Sequence, residues 1–176
     1  MIYLFRIISD ECPGFLRDLV ADGTDTFLDF HQALQKDLGF DPTQLASFFI
    51  TNEHWEKEQE ITLIDMMEDT GITTYTMDQV TLEEHIRELK QRMIYVFDFF
   101  SDRALFIELI EKSEQSSPRD TPFIAHKKGD PPPQLILDQL LDEEKEEGND
   151  PEHPDDFLNL DDLDPDLLDS GFPEDE

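Results

Sequence analysis

Acidic charge is spread unevenly along this chain, and that limits what each part can fold into. Residues 138–176 carry 18 acidic groups against one basic group, Lys145. Like charges at that density repel one another and keep a segment open. Pro131-Pro132-Pro133 stands just upstream, and proline can neither continue a helix nor donate within a sheet. The residues before it, from Ser113 to Pro122, are polar and lack an apolar period, so 113–137 reads as a linker. The expected plan is a folded domain over 1–112, a proline-containing linker over 113–137, and an acidic-hydrophobic tail over 138–176. A domain of about 110 residues can bury a core, though not a generous one.

Composition narrows the function classes. The 176 residues carry a formal net charge of −31, which repels phosphate backbones and makes nucleic acid an unlikely partner. Lys127-Lys128 and the Arg87, Lys90, Arg92 cluster are the basic exceptions, and acids dilute both. The single cysteine, Cys12, cannot form an internal disulfide, and Asp10 and Glu11 beside it oppose a thiolate. No stretch approaches the roughly 20 consecutive apolar residues of a membrane helix. The N-terminal run Ile2–Ile8 is interrupted by Arg6 and followed by acids, unlike a secretory signal, so a cytoplasmic location is expected.

Within 1–112 the periodicity predicts an α+β fold. Ile2–Ile8 is rich in β-branched and aromatic residues and reads as a strand. Pro13-Gly14 marks a turn, and Phe15–Ala21 a second strand completing a hairpin. Phe27, Phe30 or His31, Leu34 and Leu38 recur at helical spacing, with Thr24–Thr26 offering caps and Gly39 a left-handed stop. Leu45–Thr51 reads as a third strand. Ile61–Met67 fits either a strand or a short helix. Thr81 and Glu84 have capping-box spacing, which predicts a short helix through Ile86 and Leu89. Met93–Phe100 and Ala104–Ile110 read as antiparallel strands joined tightly at Ser101–Arg103. Phe99 and Phe100 would then face opposite sides of their strand, leaving one exposed. The result is an antiparallel or mixed sheet of about five strands with two helices, followed by the acidic C-terminal tail.

Three stretches of this plan resemble a known family. The run TFLDFHQALQKDLGFD over 26–41 is similar to the helix of the plasmid ORF-three-like family, named from an Ri plasmid and also labelled transposon passenger proteins. Gln44–Phe48 resembles the strand that follows it, and Tyr95-Val-Phe-Asp98 the family's hairpin motif. The likeness runs over about residues 2–112. Cys12-Pro-Gly-Phe-Leu-Arg17 departs from the family's Pro-Pro-x-Trp-Arg-Arg, and Phe100–Phe106 from its Gly-Asp-x-Trp-Glu-His, where only Asp102 survives. The resemblance implies an α+β fold and a bacterial mobile-element setting, and no established activity.

The side chains offer little catalytic pattern. None of His31, His54, His85, His126 and His153 lies three or four residues from another, the spacing by which a helix pairs metal ligands. His31, on the predicted helix beside its apolar positions, reads as a packed histidine, and His54 as part of a solvated loop. A metal-assisted hydrolase would have to assemble His31, His54, Asp98 and Asp102 from separate elements. No nucleophile elbow, phosphate-binding glycine loop or His-Glu-x-x-His is present. Asp162, Asp164 and Asp166 open like a calcium loop, but Leu167 and Pro173 stand where it needs Gly and Glu. No cofactor or small-molecule ligand is predicted.

The tail is the more informative feature. Phe157, Leu158, Leu160, Leu163, Leu167, Leu168 and Phe172 are set among aspartates, and a purely solvating segment would not need them. Acidic-hydrophobic alternation is an interaction composition. Phe157, Leu160, Leu163, Leu167, Leu168 and Phe172 are the candidate anchors, for the protein's own domain or for a separate protein with a basic rim. The expected function is a noncatalytic interaction or accessory module.

Overall fold

The computed structural model describes residues 1–64, 72–114 and 120–135. Its elements run β1 (Ile2–Ile8), β2 (Leu16–Asp22), α1 (Phe27–Leu38), β3 (Ser47–Thr51), β4 (Lys57–Thr62), β5 (Thr73–Thr76), α2 (Leu82–His85), β6 (Arg92–Asp98), β7 (Arg103–Ser113) and β8 (Phe123–Lys128). The strands form one eight-stranded sheet in the order β5-β4-β3-β6-β7-β1-β2-β8. β4 and β5 pair in parallel, and every other neighbouring pair is antiparallel. The α+β class and the mixed sheet agree with the sequence.

Helix α1 forms where the apolar period demands it. The Thr26 hydroxyl accepts from Asp29 N at 3.1 Å, and the Asp29 carboxylate accepts from Thr26 N at 2.9 Å, a reciprocal capping box. Two further free amides of the first turn, on Phe27 and Leu28, donate to the carbonyls of Val80 and Met77. The helix stops at Gly39, whose φ of 71° is left-handed. Its inner stripe of Phe27, Phe30 and Leu34 is fully buried. The Phe30 ring packs edge-on to Phe5 at 5.1 Å and to Phe48 at 5.4 Å, so α1 seals the centre of one sheet face. Tyr3, Phe5 and Ile7 of β1 and Tyr95 and Phe97 of β6 point to the same face.

The alternate residues point the other way. Phe49, Ile94 and Val96 form a second, smaller cluster, with Trp55, Ala104 and Phe106 packed on it. The buried apolar residues of both helices belong to the first cluster. Among the described residues, then, no helix covers the second face.

Three strands escaped the sequence reading, so the sheet has eight strands rather than five. β4 reads Lys-Glu-Gln-Glu-Ile-Thr and β5 Thr-Thr-Tyr-Thr. They are the last two strands at one end of the sheet, β5 the edge and β4 its neighbour, held by backbone ladder bonds and largely exposed, so little apolar content is required. β8 falls inside the stretch taken as linker. It pairs with β2 through Leu16↔Lys128 and Val20↔Phe123, so the sheet extends beyond residue 112. Arg17, only 4 % exposed, donates to the carbonyls of Lys128 and Gly129 and to Asp37 of α1, tying β8 to the domain. Helix α2 is a single turn, because Ile86 already has extended dihedrals, and Leu89 is exposed. β6 ends at Asp98, so Phe99 and Phe100 sit in a turn and both are exposed. The ambiguous stretch 61–67 contributes Ile61 and Thr62 to β4, and its residues 65–67 lie outside the described residues.

Candidate functional site

The turn between β6 and β7 is held from beneath. The Asp98 carboxylate accepts from the amides of Phe100 at 3.0 Å and Ser101 at 3.2 Å, an Asx-type closure. Asp102 takes a left-handed φ of 51° and brings the chain back into β7. Arg103, 7 % exposed, grips the Glu11 carboxylate through Nε at 3.0 Å and Nη2 at 2.6 Å. Its Nη1 donates to the Gln134 carbonyl at 3.2 Å, and its guanidinium lies 5.1 Å from the Phe97 ring centre. Gln134 in turn binds both backbone groups of Asp41, accepting from its N at 2.6 Å and donating to its O at 3.2 Å. One arginine thus joins the turn, the loop after β1 and the segment following the triple proline. Charge-assisted, partly buried bonds of this type hold their geometry better than exposed ion pairs.

What this frame presents is apolar. Phe100 is 100 % exposed and Phe99 46 %. Asp98 and Asp102 lie in the same turn, Asp98 buried beneath it, and Glu11 is held by Arg103 at its base. Lys57 reaches Asp102 at 3.7 Å. An exposed aromatic pair on a turn braced by hydrogen bonds and ion pairs is an unusual way to leave a phenylalanine in water.

The second sheet face adds a cationic and aromatic surface. Trp55 stands edge-on to Phe106 at 5.1 Å, with the Arg92 guanidinium 4.9 Å from its ring centre and Lys57 Nζ 4.3 Å from that of Phe49. Beside them lies a recess of about 150 Å³ bordered by Arg6, Ile8, Trp55, Phe106 and Glu108.

The residues of the hydrolase alternative go to different places. His31 is 3 % exposed, and its Nδ1 lies 2.9 Å from the hydroxyl of Tyr95, which receives Gln35 Nε2 at 3.3 Å. Burial lowers the His31 pKa to about 4 and raises that of Tyr95, so both are neutral at physiological pH. His54 is exposed next to Glu53. Asp98 closes the β6–β7 turn, and Asp102 faces Lys57. Among the described residues no three His, Cys, Asp or Glu side chains gather as a metal-holding group, so these four are not assembled into a centre. Of the basic clusters, Lys127 faces Asp37 at 3.6 Å and Arg92 pairs with Glu108 at 3.1 Å. The predicted anchors Phe157, Leu160, Leu163, Leu167, Leu168 and Phe172 lie outside the described residues. No helix among the described residues is long and apolar enough to cross a membrane.

Sequence reasoning overlooked Arg103 and the Gln35–Tyr95–His31 chain. Each polar atom there finds its partner across 60 or more residues or from an unrelated loop. The one signal was Tyr95-Val-Phe-Asp98 itself, which carries two of the residues involved.

The family model for plasmid pRiA4b ORF-3-like protein matches residues 3–169. The chain belongs to the plasmid pRiA4b ORF-3-like family. The match reaches well past residue 112, so the likeness includes β8 and most of the acidic segment of this pRiA4b ORF-3-like chain. No curated protein matches it. Among solved structures it is similar to the crystal structure of MM3350, a protein of unknown function from Methanosarcina mazei Go1. The TM-score is 0.62 at 18% identity, over 82% of each chain, which is a likeness of fold.

Proposed function

We propose that this pRiA4b ORF-3-like chain is a noncatalytic interaction module that docks a basic protein. The observation that carries the reading is the fully exposed Phe100, beside Phe99, on a turn fixed by Asp98 and Arg103. A preorganised aromatic anchor loses little conformational entropy on binding, and such anchors dominate interface energetics. The chain's net charge of −31 favours a partner whose apolar pocket has a basic rim. The tail enlarges that negative field, with Phe157, Leu160, Leu163, Leu167, Leu168 and Phe172 as additional anchors. The family match extends through residue 169 and so includes most of the tail.

The test is affinity capture from source-cell lysate with the full chain and with Phe99→Ser/Phe100→Ser, at low and high salt. The reading expects a specific basic protein on the wild-type bait, lost with the double substitution and weakened by salt. Retention by the double variant would overturn the aromatic anchor, and salt-independent capture the electrostatic half. Substituting the tail anchors by serine in the full chain separates the tail's two roles. Lost capture assigns them to the partner, whereas unchanged capture with shifted domain resonances assigns them to self-docking.

A further inference from the structure

Along α1, on the flank away from β8, runs a cleft of about 450 Å³. Leu28, His31, Gln35 and Lys36 of the helix border it, with Phe40 and Leu63 opposite. Its walls are mostly carbon, and its size is that of ordinary small-molecule sites. We propose that this cleft binds a small, largely apolar carboxylate.

The polar groups at its base determine that class. The Gln35 amide donates to the Tyr95 hydroxyl, which leaves the hydroxyl hydrogen for His31 Nδ1. A neutral imidazole that accepts at Nδ1 carries its hydrogen at Nε2. His31 is 3 % exposed, borders the cleft, and its Nε2 has no partner among the described residues. The cleft is therefore offered an N–H donor on a side chain otherwise buried, held in one tautomer by its neighbours, and a ligand acceptor would take the place of water there. Burial keeps the imidazole uncharged, so the positive charge comes from elsewhere. Lys36 stands exposed at the rim and makes no ion pair among the described residues.

Among the described residues the lining carries no acid, in a chain with 44 of them. By contrast, Glu53, Glu58 and Glu88 border the cleft near His85, and Asp37 the one between α1 and β8. An anionic end is thus repelled at those clefts and tolerated here. The apolar body of the ligand would lie against Leu28, Phe40 and Leu63, with its carboxylate between His31 Nε2 and Lys36.

The test titrates isotope-labelled full-length protein with 4-phenylbutyrate and with its neutral analogue 4-phenylbutyramide, following the His31 ring nitrogens and the Gln35 side-chain amide by NMR. The expected result is saturable movement of both signals by the acid. Its dissociation constant should rise by up to about fivefold in Lys36→Gln, as for loss of one exposed ion pair, while the amide is indifferent to that change. Lys36 is at the surface, so the variant should fold normally. Unmoved cleft signals at up to about 10 mM of either probe would overturn the site. Equal binding of acid and amide, unaffected by Lys36→Gln, would overturn the carboxylate class.

Discussion

Replacing Tyr95 by phenylalanine removes one oxygen and leaves the ring in place. The Tyr95 side chain is fully buried, 2.9 Å from His31 Nδ1 and 3.3 Å from Gln35 Nε2 through that oxygen. The ring's packing against Phe48, at 4.8 Å between centres, is retained. The cost is then polar: His31 Nδ1 loses its donor, and the Gln35 amide loses its acceptor. A buried polar atom left unpaired costs about 1–3 kcal/mol, and a tautomer switch at His31 would only exchange one unpaired atom for another. The substitution should therefore destabilise the protein by about 2 kcal/mol, read as a lower urea midpoint at unchanged slope. A cycle with Gln35→Leu should show coupling between the two sites, since they share a hydrogen bond. A Tyr95→Phe variant within about 0.5 kcal/mol of wild type would refute the buried chain as drawn.

Three further outcomes are expected. Thr26→Ala removes the acceptor for Asp29 N and should cost about 1 kcal/mol in urea unfolding. Gly39→Ala and Gly129→Ala separate conformational strain from collision. Both glycines have positive φ, near 71° and 70°, but a Cβ at Gly39 meets nothing within 4 Å, whereas one at Gly129 would lie 2.7 Å from the Gly14 carbonyl oxygen. Gly39→Ala should cost about 1 kcal/mol, and Gly129→Ala clearly more, with β8 amides losing exchange protection first. The pH dependence has a fixed sign. His31 titrates near 6.5 when unfolded and near 4 when folded, so the unfolded chain binds the extra proton and stability falls as pH drops through that window. The loss is at most roughly 3 kcal/mol and should be complete near pH 4. Asp22, held low by the amide and hydroxyl of Thr24, adds a loss in the same direction at lower pH. Urea midpoints measured from pH 8 to pH 3 check both, and a midpoint that rises between pH 6.5 and pH 4 would contradict the His31 assignment.

Local chemistry determined much of this protein from the sequence alone. The apolar period, the Thr26 cap and Gly39 specify α1 because each acts within a turn or two of itself. Ile2–Ile8, the Pro13-Gly14 turn and the β6–β7 hairpin were legible for the same reason. Tertiary structure decided whatever depends on distant partners. β4, β5 and β8 exist because a neighbouring edge supplies backbone bonds that their own composition does not announce. His31 could be placed on the apolar side of its helix by spacing, but its pairing with a buried hydroxyl required Tyr95, 64 residues away. Phe100 is exposed because β6 ends at Asp98, whose carboxylate turns the chain two residues earlier than strand propensity suggests. Charge is the intermediate case. The sequence dictates how negative the chain is, but the fold decides which surfaces carry that charge, because only packing sorts acidic residues onto some surfaces and away from others.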